Sequence, residues 1–350
     1  MTNDKGIYIR NIFYMLAYAF QSLRQKQFEK IRSESFDGVE DLLAEILAQG
    51  MTQQIKQGLY KEYVLQNESL PGLRGKLAMP GTIRHRIAGR RLLSCEFDEL
   101  SSDNIYNQIL KTTAFHLIGC PAVNTERKRR LSQLMPYFDR ISSSSPTHIV
   151  WNQLHFQKNN RTYQFLIQLC RFIWDSLLQT TQEGSIRMLQ FSDEHMERLY
   201  EKFILEYYRR HHPRLKASPA PVSWNLDDTE SIVSGALPAM KTDITLTGGD
   251  RILIIDAKYY GRSLQTSYYG KRTFHSSNLY QIYTYVKNKD TAHTGKVSGI
   301  LLYARTSESI VPNAEFTVDG NHFAVKTLDL NTDFKSICSQ LDELADSYFS

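Results

Sequence analysis

A chain of 350 residues exceeds the usual size of a single hydrophobic core, so two domains are expected, each able to bury its own interior. Composition is ordinary for a globular protein, and 42 Lys plus Arg against 37 Asp plus Glu leave a net charge of +5, too small to establish nucleic-acid binding and not opposed to it. The four cysteines, Cys95, Cys120, Cys170 and Cys338, lie far apart with no C-x-x-C pair, which argues against a zinc site or disulfide framework and for buried, inert thiols in a reducing compartment.

The first twenty residues, MTNDKGIYIRNIFYMLAYAF, are apolar but interrupted by Arg10 and Asn11 and lack a small-residue cleavage site. They read as neither signal peptide nor membrane span, and no apolar run approaches the ~18 residues needed to cross a bilayer. A cytoplasmic protein without a membrane partner is expected. Ile12, Met15, Leu16, Ala19 and Leu23 recur at helical spacing and predict a buried helix. A second helix is expected from Val39 to Lys56, with Leu42, Leu43, Ile46 and Leu47 on its apolar side and Gly58 ending it.

Leu59 to Leu65 alternates as a strand. Pro71, Gly72, Gly75, Pro80 and Gly81 then break the chain into a loop-rich region carrying Arg74, Lys76, Arg84, Arg86, Arg90 and Arg91, suited equally to contacting phosphates or a partner and to facing solvent. Cys95 to Ser102 reads as a strand leading into a helix capped by Asp103 and running to about Gly119. Another helix follows Asn124, and its run Arg127, Lys128, Arg129, Arg130 reads as a solvated face or as a track for a DNA backbone. Tyr163 to Leu178 has the periodicity of a buried helix. The polar stretch Gln179 to Ser185, with Gly184, marks the expected boundary between a domain of residues 1–184 and one of residues 185–350.

The second half opens with a helix capped by Ser192, whose stripe is Met196, Leu199, Tyr200, Phe203 and Tyr207; Glu197 and Glu201 lie one turn apart on its flank. After Pro213, Pro219 and Pro221, Val222 to Leu226 suggests a strand. The stretch MKTDITLTGGDRILIIDAKYY follows. With Gly248-Gly249 as a two-residue hairpin loop, Thr247 pairs with Asp250 and Asp243 faces Ile254, leaving Asp256 as its diagonal neighbour. Side-chain alternation puts Ile254, Asp256 and Lys258 on one face, with Leu253, Ile255 and Ala257 on the other, so the strand is expected to be covered on both sides. Two carboxylates in this arrangement suit one divalent ion against a phosphodiester, with the amine orienting water and offsetting charge. The plainer alternative is a hairpin whose Asp256 and Lys258 reach solvent at a sheet edge. Beyond it, Lys271, Arg272 and His275 form a basic stretch placed to grip DNA phosphates. Ser276 or Ser277 is expected to cap a helix presenting Gln281 and Tyr285 one turn apart. Gly299 to Tyr303, segments of Phe316 to Asp329, and Phe334 to Tyr348 complete the chain as strands and a closing helix.

The order of Glu201 in HMERLYEKFILEYY, Asp243 in MKTDITL, Asp256 and Lys258 in IIDAKYY, and Gln281 with Tyr285 in NLYQIYTYV resembles the PD-(D/E)xK nuclease superfamily, including its Q-x-x-x-Y branches. Thr242, not Pro, precedes the first Asp. The stretches IRNIFYMLAYAF, PGLRGKLAMPGTIR and FHSSNLYQIYTYV extend the similarity over nearly the whole chain to the McrC family of 5-methylcytosine restriction systems.

That resemblance implies an α/β (mixed α+β) chain: an N-terminal partner-binding domain, then a nuclease domain with a central mixed sheet flanked by helices. It implies a Mg²⁺-dependent DNA endonuclease subunit in which Asp243 and Asp256 bind metal, Glu201 is an accessory ligand, Lys258 assists the attacking water, and Gln281 and Tyr285 orient Lys258, the metal water or the DNA backbone. Its implied partners are a hexameric McrB-type AAA+ GTPase, whose hydrolysis it stimulates, and double-stranded DNA containing methylated cytosine. No G-x-x-x-x-G-K-[ST] occurs here, so GTP is expected on the partner and not on this chain. Two other readings retain the fold: a catalytically silent adaptor that regulates a GTPase, and a nuclease coupled to an ATP-driven repair helicase.

Overall fold

The computed structural model describes residues 3–4, 7–20, 36, 38–145, 149–156, 161–178, 193–226, 236–259, 265–266, 272–305 and 311–349. The chain divides into two units, one joining residues up to Leu42 with those from Asp175 onward, the other running from Leu43 to Trp174. The expected division at residue 184 differs from this in one main respect: the N-terminal helix belongs with the C-terminal half. Asn11 supplies the reason. It looked like an interruption of an apolar run, but its buried side-chain amide donates to the carbonyls of Leu330 at 2.8 Å and Thr332 at 2.7 Å. A buried amide must find acceptors, and these lie more than three hundred residues away in sequence.

A two-residue ladder, β1 (Asn3–Asp4) and β2 (Ile7–Tyr8), precedes α1 (Ile9–Ala19). Of the expected stripe, Ile12, Met15, Leu16 and Ala19 are buried, and Leu23 lies outside the described residues. The chain then enters α2 (Val39–Gln57), whose Leu42, Leu43, Ile46 and Leu47 are fully buried; Gly58 ends it with a φ of 88°, a conformation glycine adopts without strain.

The middle unit is built on a three-stranded antiparallel sheet of β3 (Glu62–Leu70), β4 (Lys76–Leu77) and β5 (Leu93–Ser101), with β5 central. Between β4 and β5 lies α3 (Met79–Ile87), where only loop was expected. A proline breaks a helix interior, yet Pro80 sits in the first turn, where a missing N–H leaves no helical bond unmade. In α4 (Ile105–Gly119) the cap is Asn104, not Asp103: Asn104 Oδ1 accepts from Asn107 N at 3.2 Å, while Asp103 accepts from Ser142 N at 2.9 Å. Asn124 caps α5 (Thr125–Leu134) as expected. Two members of its basic run turn inward, since Arg130 Nη1 lies 2.5 Å and Arg127 Nε 3.6 Å from the buried carboxylate of Glu45. The unit closes with α6 (Arg161–Leu178), where the Tyr163 hydroxyl donates to Asn107 at 2.5 Å. The expected boundary stretch Gln179 to Ser185 lies outside the described residues, as does the expected cap Ser192.

The remaining unit continues with α7 (Asp193–His211), whose Phe203 meets Tyr18 of α1 edge-on and whose His211 Nε2 lies 2.8 Å from the Tyr18 hydroxyl. A short ladder of β6 (Pro221–Val222) and β7 (Met240–Lys241) stands where a strand from Val222 to Leu226 was expected. The hairpin β8 (Ile244–Gly248) and β9 (Arg251–Lys258) follows. After it come the ladder of β10 (Gln265–Thr266) and β11 (Arg272–Thr273), α8 (Ser276–Lys289), β12 (Val297–Ala304), β13 (Ala314–Val318), β14 (Asn321–Leu328) and α9 (Phe334–Phe349).

The central sheet is mixed, in the order β13-β14-β12-β9-β8: β9, β12 and β14 run parallel, and the two outer pairs are antiparallel. Parallel neighbours need a crossover, and α8 supplies the one between β9 and β12. Ile282, Tyr285 and Val286 of α8 pack with Ile254, Leu301, Tyr303, Phe323 and Val325 on one face of the sheet. Leu253, Ile255 and Ala257 on the reverse face are equally buried, so β9 is covered on both sides. Cys95, Cys120 and Cys170 are buried and no cysteine of the four is in a disulfide. Among the described residues no helix is long and apolar enough to cross a membrane.

Candidate active site

The hairpin register differs by one step from the expected one. Gly248 pairs with Arg251 and Ile244 with Ile255, so the loop is Gly249-Asp250. Each glycine has its own reason. Gly249 has a φ of 61°, suited to the first position of a two-residue loop, where an L side chain is strained. Gly248 is in the ladder, and a Cβ there would come within 2.7 Å of Phe349 and 2.9 Å of Leu215, so only glycine fits. The consequence is chemical. Asp243, immediately before β8, comes level with Asp256 instead of lying diagonal to it, and its Oδ2 accepts from Ala257 N at 3.1 Å.

Asp256 and Lys258 do not emerge into solvent at an edge. Asp256 is 1% exposed and Lys258 8%, and β9 has strands on both sides. Lys258 Nζ lies 3.0 Å from Asp256 Oδ2 and 3.9 Å from Glu197 Oε1 on α7. Apart from that ion pair, neither oxygen of Asp256 receives a hydrogen bond. A buried charge is ordinarily paired and hydrogen-bonded throughout, so this carboxylate stands out.

Electrostatics describe the same crowding. Burial, together with the charges of Asp243 and Glu197, pushes the Glu201 carboxyl up to about 8, and burial is also the main cause that raises Glu197. Asp256 is raised by burial and by Asp243, with Lys258 pulling in the opposite sense. Burial alone would lower Lys258, but Asp256 and Asp243 hold it above its ordinary value, so it remains a cation at neutral pH. Four acids, Glu197, Glu201, Asp243 and Asp256, thus act on one ammonium.

Among the described residues no three His, Cys, Asp or Glu side chains already converge tightly enough to enclose an ion. The donors nonetheless fit a hard divalent cation. They are carboxylate oxygens, those of Asp256 are buried without hydrogen bonds, and the excess negative charge favours a cation. Lys258 occupies the position such a cation would contest.

Gln281 and Tyr285 meet each other, with Gln281 Nε2 donating to the Tyr285 hydroxyl at 2.9 Å. Tyr285 is buried in the cluster that contains Ile254 and Tyr303. The expected serine cap is absent: His275 is the N-cap residue of α8, its side chain makes no capping bond, and Ser276 is the first helical residue. Of the basic stretch, His275 is half-buried, Arg272 lies in β11 paired with Thr266, and Lys271 falls outside the described residues.

Three residues near the centre escaped sequence reasoning or were underrated. Glu197 is the α7 carboxylate whose oxygen lies 3.9 Å from Lys258, although Glu201 was preferred as the functional member of the pair. Tyr303 pairs with Lys258 in the parallel register of β9 and β12, and buried Asn278 donates to its hydroxyl at 3.1 Å. The available signal was spacing, because Asn278, Gln281 and Tyr285 recur at i, i+3 and i+7 on one stripe of α8.

Comparison with known proteins agrees with the motifs. The family model described as McrBC 5-methylcytosine restriction system component matches residues 2–304. The chain is 29% identical over 344 residues to the type IV methyl-directed restriction enzyme EcoKMcrBC of Escherichia coli (strain K12), covering 97% of both. It also resembles, at 18% identity and a TM-score of 0.57, a chain in a half-complex from a tetradecameric assembly of Thermococcus gammatolerans McrB AAA+ hexamers with bound McrC, over 97% of this chain and 76% of that one. With the family model spanning most of its length, the chain belongs to the McrBC 5-methylcytosine restriction system components, and within them to the McrC family.

Proposed function

We propose that this chain is the DNA-cleaving subunit of a modification-dependent restriction complex, a magnesium-dependent endonuclease of the PD-(D/E)xK type. The observation that carries the reading is the Asp256 carboxylate, buried at the centre of the sheet and without a hydrogen bond, level with Asp243 and beside Lys258. A purely structural acid has no reason to remain in that state. The order of α7, the β8–β9 hairpin, α8 and parallel β12 supports the superfamily assignment.

Asp243 and Asp256 would hold Mg²⁺, with Glu201 as an accessory ligand. The bound ion would supply a Lewis acid and a water of lowered pKa. Lys258, kept protonated by the surrounding acids, acts as a donor and a fixed positive charge toward the phosphate or the attacking water and not as a base. Asp243 is held in place by the backbone amide of Ala257. Gln281 and Tyr285, hydrogen-bonded to each other, would orient Lys258, the metal water or the DNA backbone, and Lys271, Arg272 and His275 would contact the DNA backbone.

The chain works with a McrB-type AAA+ GTPase hexamer, which binds GTP and reads 5-methylcytosine in double-stranded DNA, while this subunit stimulates GTP hydrolysis and cuts. Its family membership, the E. coli relative named as a methyl-directed restriction enzyme, and the Thermococcus assembly of McrB hexamers with bound McrC support that division. The complex is assigned to the cytoplasm. To test the activity, wild-type and the variants Asp243→Ala, Asp256→Ala and Lys258→Ala are assayed for cleavage of methylated DNA with the partner GTPase, GTP and Mg²⁺. Each variant should lose cleavage while still binding the partner; cleavage retained in all three would overturn the assignment.

A further inference from the structure

Asp256 cannot serve two cations with the same oxygens. Lys258 Nζ lies 3.0 Å from Asp256 Oδ2, inside the space a divalent ion would claim, and two positive charges at that range repel strongly in a buried setting. An ion that takes Oδ2 displaces the ammonium from it. Solvent is a poor destination, because the Lys258 side chain is only 10% exposed and a buried charge without a partner is strongly disfavoured. Asp243 is also a poor destination, since its Oδ2 is engaged by Ala257 N and the carboxylate is itself a proposed ligand. Among the described residues the remaining acid that ion-pairs with Lys258 is Glu197, whose Oε1 is 3.9 Å from Nζ and whose side chain is anchored on α7.

We infer that Glu197 receives the Lys258 ammonium when Asp256 takes up a divalent cation, which makes Glu197 a positioning residue for the lysine and not a ligand of the ion. The arrangement accounts for two carboxylates one turn apart on α7. Of the two, Glu197 is the one whose oxygen pairs with the amine, at 3.9 Å, while burial and the charges of Asp243 and Glu197 weigh on Glu201. It also assigns the lysine two stations, one on Asp256 before the ion enters and one on Glu197 afterwards, so the ammonium stays close to the site throughout. This inference rests on the cation site proposed above.

The test is a double-mutant cycle read by calorimetric titration of Ca²⁺ into the full-length protein, which requires no catalysis. Glu197→Gln in the wild-type background should weaken Ca²⁺ binding about tenfold, because the lysine then stays on Asp256 and competes. Lys258→Ala should bind Ca²⁺ at least as well as wild type, and Glu197→Gln added to Lys258→Ala should change nothing further. Equal weakening by Glu197→Gln in both backgrounds would mean that Glu197 ligates the ion directly, and no weakening in either would mean that the lysine goes elsewhere; both results overturn the inference. Absence of Ca²⁺ binding to the wild type, or binding unaffected by Asp256→Asn, would instead remove the cation site itself. Circular dichroism of each variant checks that the fold is retained, and Glu197→Gln is isosteric at a partly exposed helix position.

Discussion

Glu45 in the middle unit and Asp256 in the sheet of the other are both about 1% exposed, and they are treated in opposite ways. Glu45 has two donors on one oxygen and an ion pair on the other: Gln49 Nε2 at 2.8 Å and Arg130 Nη1 at 2.5 Å meet Oε1, and Arg127 Nε lies 3.6 Å from Oε2. Asp256 has one ammonium 3.0 Å from one oxygen, a neighbouring carboxylate in Asp243, and no further donor. A third acid shows that the second unit is equally able to satisfy a charge. Asp290, at the end of α8, accepts from Thr294 N and Oγ1, Gly295 N and Asn321 Nδ2 at 2.7–2.9 Å. The contrast teaches that burial alone does not mark a site. Glu45 and Asp290 each gather several donors, as acids that serve the fold do, whereas Asp256 keeps the open valences that its proposed role requires.

Substitutions sharpen the comparison, beginning with the largest effect. Asp256→Asn should lower cleavage at least about a thousandfold, or ~4 kcal/mol of barrier, while thermal denaturation gives a Tm equal to or above wild type, because an incompletely paired charge is removed. A marked fall in Tm would place Asp256 with the structural acids. Glu45→Ala should do the reverse: it leaves Arg127 and Arg130 without their buried partner and should destabilise by about 3 kcal/mol in urea unfolding. A change near zero would break the comparison from the other side.

Asp290 makes a pH-resolved case. Burial acts to raise its carboxyl, but Asn321 and the Thr294 and Gly295 donors outweigh it and hold the group at about 2, below the ordinary 3.8. A folded-state value below the unfolded one means stability that is complete above about pH 4 and lost as the pH falls through about 2, on the order of 2 kcal/mol. Unfolding free energies of Asp290→Asn should therefore lie below wild type at pH 6 and converge on it toward pH 2; parallel curves would contradict this. The smallest effect is expected at Tyr285. Tyr285→Phe removes the acceptor for Gln281 near the surface of a packed cluster and should cost about 1 kcal/mol or less in the same unfolding assay.

Much of this architecture was legible in the sequence where one physical constraint acted locally. Alternation in Ile252 to Lys258 identified the covered strand, helical spacing identified α1, and a single glycine ended α2. Three features were hidden because they depend on distant partners. In the hairpin, Gly248 sits in the ladder against Phe349 and Leu215, which no window around the turn contains, so the loop falls on Gly249-Asp250. The unit boundary reflects distant partners of α1: Asn11 reaches Leu330 and Thr332, so an apparent interruption of an apolar helix helps to anchor it, and Tyr18 packs on Phe203 and His211 of α7. The basic run of α5 was weighed as a DNA track or a solvated face, and both options overlooked that a buried acid in α2 engages two of its arginines. At the site, motif spacing pointed to Asp243, Asp256 and Lys258 and to Glu197 or Glu201, whereas the pairing of Glu197 with Lys258, and Asn278 and Tyr303, became visible only once α7, α8 and β12 were packed around β9.

The account is tested most directly by titrating Mn²⁺ into the full-length protein and its Asp256→Asn variant in a calorimeter, without DNA or partner. Saturable binding to the wild type that disappears in a folded variant is the predicted result. Identical heats from the two proteins would show that the open carboxylate at the centre of the sheet holds no metal.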